Sequence, residues 1–266
     1  GAAVLLYLPL NWYNGGYGPA EWVKKLLLDG TFYHLWYFPG VILGVLVARG
    51  LLRLGPRTAL TAAGLLYLVG LGGDSYYGLT TQIPVLKTMY DGMFQVFSYT
   101  RNGIFLVPIF LMIGVWFAKV ERENTVQNDS YWEMSEPKRW NRKRAGLGLL
   151  ISLVLMTVEG FALHAADWQR HDSMYVMLPI VMIFLYIWIC AKPQEPSKKL
   201  RSLSTWIYIL HPAVIVVVHA LPGSLGKEIA GNSLLNYVAV VIGTCIISIF
   251  GMYVTHQFDL HVRRNK

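Results

Sequence analysis

The sequence predicts an all-α, polytopic transmembrane helix bundle with about eight membrane spans. Of its 266 residues, 55% are hydrophobic and only 14% are charged, whereas a soluble domain has about a quarter of its residues charged. Nine Trp and sixteen Tyr residues fit the aromatic belts found at membrane interfaces. Apolar runs also recur at lengths close to the roughly 20 residues needed to cross the hydrocarbon core.

Eight apolar runs meet or approach that length. In chain order they are 1–10 (partial), 33–53, 57–74, 102–119, 145–165, 174–191, 204–221 and 234–257. Several are short, which predicts tilted helices or local thinning of the bilayer. No charged segment or cleavage site precedes the first run within these residues, so we expect it to be a span and not a signal peptide. We expect residues 1–266 to form one membrane domain cut from a longer chain.

The distribution of Lys and Arg predicts the orientation in the membrane. Seventeen of the 23 basic residues fall in alternate connections, including 119–144 and the carboxyl-terminal end, and such connections face the cytoplasm. The net charge of +8 is therefore explained by topology, without a nucleic-acid partner. The expected location is the cell membrane, with a cytoplasmic carboxyl terminus and lipids as partners.

Three connections carry further signals. Residues 19–30 could form an amphipathic helix on the outer surface. Residues 84–100 are too polar to span and are predicted to be re-entrant or surface-bound. The connection 119–144 is interpreted as an interfacial anchor beside anionic lipid, with binding of a donor phosphate or a partner as the alternative.

Ionisable side chains inside or beside the spans are functional candidates, because stranding a charge in lipid costs at least a few kcal/mol. Under the predicted topology these side chains share the outer half of the membrane. They are His34, Asp74, Asp91, Arg101, Glu159, His164, His211 and His219. We expect them to line a polar cavity that opens to the outer face.

Each of these candidates also has a structural interpretation. His34 could belong to an aromatic belt, Asp74 could cap a helix, and Arg101 could extend to the interface. His211 precedes Pro212, so it could satisfy a backbone carbonyl freed by that proline. Glu159 is the hardest to explain structurally, because a carboxyl in mid-helix must find a partner or take a proton.

The sequence contains no recognisable metal or cofactor motif. The histidines lack the H-x-x-x-H and H-E-x-x-H spacings. A G-x-S-x-G elbow, a phosphate-binding loop and a dinucleotide fingerprint are also missing. We therefore expect neither a metal nor a bound cofactor, and spacing alone does not name a reaction.

Four segments carry a family resemblance. "DGTFYHLWYFPGVILGVLVARGLL", "GLGGDSYYG", "YDGMFQVFSYTRNGIFLVPIFLMIG" and "TWIYILHPAVIVVV" resemble the integral-membrane acyltransferase superfamily (acyltransferase-3 type). They look closest to the membrane domain of the serine racemases of the vancomycin-resistance system. The resemblance covers about residues 5 to 262.

The resemblance implies about ten helices and transfer of an acyl group from a cytoplasmic donor such as acyl-CoA to a hydroxyl of an extracytoplasmic cell-envelope glycan. In the vancomycin-resistance members it implies L-serine uptake and a cytoplasmic racemase domain. No pyridoxal-phosphate lysine region occurs in these 266 residues, so no racemase domain is expected within them. The superfamily's first-helix arginine and histidine have no counterpart here, which predicts that this chain alone is inactive.

Two sets of site residues follow from the spans and the resemblance. The predicted catalytic residues are His34, Arg101, Glu159 and His211. The predicted substrate-binding residues are Trp36, Tyr37, Asp74, Tyr76, Tyr77, Asp91, Asn102 and His164. We favour acyl transfer, with a histidine as base and Arg101 steadying the oxyanion. The alternatives are L-serine uptake, with Asp74 or Glu159 on the ammonium and Arg101 on the carboxylate, and a plain membrane anchor for a racemase.

Overall fold

The computed structural model describes residues 7, 18–30, 35–129, 141–192, 197–223, 228–229 and 231–264. These residues form helices and connecting turns without a β-strand, which confirms the all-α class. The helices are α1 Pro19–Lys24, continued by a π-helical turn Lys25–Asp29, α2 Tyr37–Leu52, α3 Pro56–Gly72, α4 Tyr77–Thr80, α5 Pro84–Val96, α6 Val107–Asp129, α7 Arg142–Ala165, α8 Leu178–Cys190, α9 Lys198–His219 and α10 Ser233–Arg264.

Three helices are long and apolar enough to cross a membrane: α7, α9 and the Ser233–Thr255 part of α10. Helices α2 and α8 and the Val107–Val120 part of α6 are shorter apolar helices. Spans of this length require tilt or local thinning of the bilayer. The chain is therefore a polytopic helical membrane protein, as the composition predicts.

Two helices begin later than the apolar runs that predict them. The run 102–119 becomes helical only at Val107, because the Asn102 side chain accepts hydrogen bonds from the backbone N–H groups of Ile104 and Phe105, at 2.9 and 3.2 Å. The run 174–191 becomes helical at Leu178, after a non-helical loop 166–177. In both cases hydrophobicity alone did not reveal the turn that precedes the helix.

The chain divides into two compact units, Gly1–Pro193 and Gln194–Lys266. In the first unit α6 packs against both α2 and α3, and α7 pairs with α8. Small residues allow the helices to approach closely: a side chain at Gly44 would collide with Val107, and one at Gly148 would collide with Phe184. Tyr67, Leu71 and Met112 lie at the centre of the buried core.

Antiparallel packing gathers several chain segments at one end of the first unit. They are the turn 73–76 after α3, the segment 97–106 before α6, and the loop 166–177 between α7 and α8. Thr100 donates a hydrogen bond to the carbonyl of Gly70 at 2.9 Å, and the Gly78 N–H donates to the carbonyl of Trp168 at 2.7 Å. We call this region the loop end, and it carries most of the candidate residues.

The two predicted surface segments form helices. Helix α5 leaves Val85 and Val96 exposed while it buries Tyr90, whose hydroxyl donates to the carbonyl of Val69 at 2.7 Å. The segment around α1 ends at Asp29, which is buried and accepts two hydrogen bonds from Ser98. Both segments are thereby fixed to the loop end. Of the anchor 119–144, residues 130–140 lie outside the described residues.

The second unit consists mainly of the antiparallel helices α9 and α10. Gly251 of α10 lies against the Trp206 ring, and Gly243 lies against Val214. Helix α9 is capped by the Ser197 hydroxyl, which accepts a hydrogen bond from the Leu200 N–H at 3.3 Å. That cap starts the helix at Lys198, earlier than the predicted span at 204.

Candidate functional site

Asp74 is a buried acid in the turn of the loop end that follows α3. Its side chain is fully buried in the turn after α3. Oδ1 accepts hydrogen bonds from the backbone N–H groups of Ser173 and Met174, at 2.8 and 3.0 Å, and from the Ser75 hydroxyl at 3.1 Å. Oδ2 has no hydrogen-bond partner within the described part of the chain. Asp74 therefore holds the loop 166–177 with one oxygen and keeps the other buried without a partner among the described residues.

Burial controls the charge of Asp74. Desolvation raises the pKa of this carboxyl, while the hydrogen bonds from Ser173, Met174 and Ser75 offset part of the rise. Removing a carboxylate from water disfavours its charged form, so a proton or a cationic group near Oδ2 would stabilise the site.

Arg101 is a cation of the loop end that contacts Ser173. Its guanidinium donates a hydrogen bond to the Ser173 hydroxyl at 3.1 Å. The guanidinium carbon lies 4.5 Å from the centre of the Tyr99 ring and 5.8 Å from that of the Trp36 ring. Cation–π contacts of this kind hold a guanidinium in place. Arg101 is thus held against these rings and Ser173.

Asp74 and Arg101 meet at Ser173. The backbone N–H of Ser173 binds the carboxylate, and its hydroxyl accepts from the guanidinium. The structure therefore brings together two residues that the sequence predicts from different spans. Ser173 itself was not predicted, because it lies in a loop and does not interrupt an apolar run.

His171 is a second residue that the sequence analysis missed. Its ring centre lies 4.8 Å from that of Tyr99, and its carbonyl accepts from the Ser75 hydroxyl at 3.2 Å. Burial lowers the pKa of His171; Asp74 opposes this shift, whereas Arg170 and Arg101 add to it. The ring is therefore neutral at pH 7. The sequence does show His171 as a histidine in a connection predicted to face outward. A search for ionisable residues that is restricted to the spans does not detect it.

Glu159 uses both carboxylate oxygens to hold the loop. Oε1 accepts from the Tyr76 hydroxyl at 2.7 Å and from the Val176 N–H at 2.6 Å, and Oε2 accepts from the Met177 N–H at 3.0 Å. These N–H groups immediately precede α8, where a helix has unsatisfied donors and a positive dipole end. Glu159 acts as a helix cap supplied by a neighbouring helix, which explains a carboxyl within an apolar run.

Tyr77 and Asp91 form a separate group that includes an exposed ion pair. The Tyr77 hydroxyl donates to Asp91 at 3.4 Å, and Lys87 donates to the same carboxylate at 2.7 Å. The Lys87–Asp91 pair is exposed. The Arg170 guanidinium carbon lies 3.3 Å from the centre of the Phe94 ring. This group fixes α5 to the loop 166–177 and forms a surface ion pair.

Asn102 and Trp36 support Arg101 from two sides. The buried Asn102 side chain donates to the carbonyl of Tyr99 at 2.9 Å and caps the residues that lead into α6, so it shapes the turn that carries Arg101. Trp36 places its ring beside the guanidinium, whereas Tyr37 is 48% exposed.

The sequence predicts two further histidines as site residues in this part of the chain. His164, near the end of α7, is exposed. His34 lies outside the described residues, so its predicted role stays a prediction.

His211 lies in the second unit, within α9. Its Nδ1 is 2.9 Å from the carbonyl oxygen of Tyr208 and 3.2 Å from that of Ile207. Pro212 has no N–H, so it cannot donate the helical hydrogen bond that the Tyr208 carbonyl would otherwise accept. A protonated Nδ1 donates to that carbonyl, which leaves the lone pair on Nε2. This geometry matches the interpretation of a histidine that satisfies backbone beside a proline.

The loop end can recognise a small molecule with two charges. It offers a buried, unpartnered carboxylate oxygen on Asp74, a guanidinium on Arg101 and a neutral imidazole on His171, all supported by the loop 166–177. Within the described residues, no three His, Cys, Asp or Glu side chains cluster as metal ligands would.

Comparison with known proteins agrees with the resemblance seen in the motifs. The model of a family described as an acyltransferase domain matches residues 2–255. An amino-acid racemase of Enterococcus faecalis is 36% identical over 252 residues, which cover 92% of this chain and 34% of that protein. A serine/alanine racemase of Enterococcus gallinarum is 36% identical over 248 residues, covering 91% and 33% of the two chains.

A second amino-acid racemase of Enterococcus faecalis is 32% identical over 258 residues, which cover 94% of this chain and 34% of that protein. The chain thus spans about a third of the length of the curated relatives it matches. No solved structure matches.

Proposed function

The chain belongs to the acyltransferase domain family, and from that premise we propose that it binds a small L-amino acid, serine above all, at the loop end and passes it across the membrane to an amino-acid racemase module. The observation that carries this proposal is the meeting of Asp74 and Arg101 at Ser173. A zwitterion needs an anionic group for its ammonium and a cationic group for its carboxylate, and these two side chains provide both.

The hydrogen bonds favour Asp74 over Glu159 as the group for the ammonium. Each oxygen of Glu159 already accepts from Tyr76 or from backbone N–H groups. Oδ2 of Asp74 has no such partner within the described residues. An ammonium that reached this buried oxygen would pair with it and favour the ionised carboxyl, because an opposite charge lowers the pKa of an acid.

The relatives support an amino acid as the solute. All three are named racemases, one of them a serine/alanine racemase, and each is about three times as long as the matched region. A racemase module joined to this domain would receive L-serine directly. The excess of Lys and Arg on alternate connections supports a cytoplasmic position for that module.

Uptake of radiolabelled L-serine into liposomes tests the proposal. The wild-type protein should show saturable uptake, and the variants Asp74→Asn and Arg101→Gln should each raise the half-saturating concentration by about tenfold or more, since a hydrogen bond to a charged group contributes about 1.5–3 kcal/mol. Asp91→Asn is the matched control, because it neutralises an exposed carboxyl on the same side of the first unit. Uptake that survives both loop-end substitutions would refute the assignment.

A second candidate function is acyl transfer to a hydroxyl of a cell-envelope glycan, and the neutral His171 ring beside Tyr99 favours it. A neutral imidazole can take the hydroxyl proton while the oxygen attacks the acyl carbon of a thioester and the thiolate leaves. Arg101 would stabilise the oxyanion formed in that step. Consumption of acyl-CoA that requires a glycan, with no flux of serine, would establish this reaction and exclude the first proposal.

A further inference from the structure

The second unit contains a groove between α9 and α10 that the amino-acid proposal does not use. It lies near the beginning of α9 and has a volume of about 630 Å³, within the range of about 300–1,000 Å³ usual for small-molecule sites. Lys198, Lys199 and Ser202 line it from α9, and Ile249, Met252 and Tyr253 line it from α10. The whole groove therefore belongs to one helix pair.

The two walls of the groove differ in chemistry. The α9 wall presents two exposed lysines in the first turn of the helix, where the helix dipole adds partial positive charge. The α10 wall is largely apolar, and Ile249 is 56% exposed. Among the described residues that line the groove, none is acidic. Positive charge at one end and an apolar floor together complement an anionic amphiphile.

The position of the groove along the helices defines the amphiphile further. Both helices are long and apolar enough to cross a membrane, and the candidate span of α10 ends at Thr255. Ile249 and Tyr253 thus lie in the last turns of the apolar segment, while Lys198 lies at the polar end of α9. This is the level at which a phospholipid changes from acyl chain to headgroup.

We propose that this groove binds one anionic phospholipid. The lipid phosphate lies between the ammonium groups of Lys198 and Lys199, and one acyl chain runs along Ile249, Met252 and Tyr253. Lysine near an anionic membrane surface contributes favourably to association, and two adjacent lysines above an apolar floor concentrate that attraction at a single site. The lipid would thereby cover apolar surface that the helix pair leaves exposed.

Native mass spectrometry of the detergent-purified protein tests this site. Phosphatidylglycerol and phosphatidylcholine with identical acyl chains are titrated separately, and retained adducts are counted. We expect one tightly retained phosphatidylglycerol and weaker retention of phosphatidylcholine. Lys198→Gln with Lys199→Gln should weaken retention of phosphatidylglycerol by roughly tenfold or more, since each basic residue contributes about 1 kcal/mol, about fivefold.

Two further variants separate the groove from charge in general. Arg49→Gln with Arg53→Gln removes the same charge from exposed positions at one end of α2 and should leave retention unchanged. Ser202→Phe keeps both lysines but fills the groove, so it should reduce retention of phosphatidylglycerol. Equal retention of the two lipids, or no effect of the lysine substitutions, would overturn the proposal. Binding of acyl-CoA to the lysines without a phospholipid adduct would also overturn it and assign the groove to a thioester substrate.

Discussion

The loop end and the α9–α10 pair use polar residues in opposite ways. At the loop end, Asp74 and Glu159 cross between chain segments and bind backbone N–H groups of the loop 166–177. In the helix pair, His211 and Thr255 bind carbonyls of their own helix. The first arrangement holds separate chain segments together, whereas the second forms hydrogen bonds only within one helix. Ionisable residues in apolar sequence are therefore not equivalent.

The comparison also indicates how a binding site can be recognised among structural contacts. Glu159 has a protein partner for each oxygen, while Oδ2 of Asp74 has none among the described residues. An acid that holds the backbone with one oxygen and keeps the other without a protein partner can serve both fold and ligand. An acid saturated by backbone donors serves the fold alone. Substitutions at these positions should separate the two roles.

The largest expected effect is the loss of the Glu159 cap. Glu159→Ala removes three hydrogen bonds and leaves the N–H groups of Val176 and Met177 without their acceptor. Hydrogen bonds to a charged group contribute about 1.5–3 kcal/mol each, so we expect a loss of about 3 kcal/mol or more in the free energy of unfolding. Thermal unfolding in detergent measures it.

The control for this prediction is Glu159→Gln, whose remaining carbonyl oxygen still accepts. It should lose about half as much stability and keep the half-saturating serine concentration of the wild type. A large change in serine affinity without a loss of stability would assign Glu159 to the ligand and reverse the comparison with Asp74.

The next effect concerns the pH dependence contributed by Asp74. Because burial raises the pKa of this acid in the folded state, its stabilising contribution is complete below the unfolded-state pKa of about 3.9 and is lost as the pH rises through the raised value. Asp74→Asn removes this titration. The melting temperature of the variant relative to wild type should therefore increase from pH 4 to pH 8.

His171 contributes to the pH dependence of stability with the opposite sign, so it provides a check on the prediction for Asp74. Its lowered pKa means that its contribution is present above about pH 6.5 and is lost as the pH falls through the lower value. His171→Gln should flatten the acid side of the stability curve and leave the Asp74 effect in place. Parallel pH curves for wild type and Asp74→Asn would contradict the burial argument for Asp74.

A smaller effect is expected in the helix pair. His211→Ala removes the hydrogen bond to the Tyr208 carbonyl, to which Pro212 cannot donate, and should cost about 1 kcal/mol of unfolding free energy, the usual value for a neutral hydrogen bond. In a Pro212→Ala background the main-chain N–H returns to that carbonyl, so the cost of His211→Ala should shrink. Equal costs in both backgrounds would show that His211 does not act through the freed carbonyl.

The sequence predicts long apolar helices better than it predicts turns that depend on single side-chain-to-backbone hydrogen bonds. Hydropathy predicts that long apolar helices form at α7, α9 and α10, because such helices in lipid leave little alternative, although α9 begins at Lys198, earlier than the predicted span. It places the start of α6 too early, because the Asn102 side chain forms a turn inside an apolar run. Side-chain-to-backbone bonds of this kind depend on geometry that composition does not encode.

The site was predicted in part. Asp74 and Arg101 were identified because charge near a span is costly, and the structure brings them together at Ser173. Ser173 and His171 were missed, because a polar residue in a loop does not have to be placed in lipid and does not interrupt an apolar run. Loops carry function on a rigid scaffold, so the part of the site that hydropathy cannot detect is the part contributed by the loop.

The smallest effect is expected at Asp91, an acid of α5 outside the three segments of the loop end. Its carboxylate is exposed and pairs with Lys87 one helical turn away, and exposed ion pairs of this type contribute little because solvent and salt screen them. Asp91→Asn should leave the melting temperature and the half-saturating serine concentration unchanged within error. A clear loss of serine affinity would mean that the binding surface extends outward from Ser173 to α5, and the unpartnered oxygen of Asp74 would then no longer suffice to separate ligand-binding acids from structural ones.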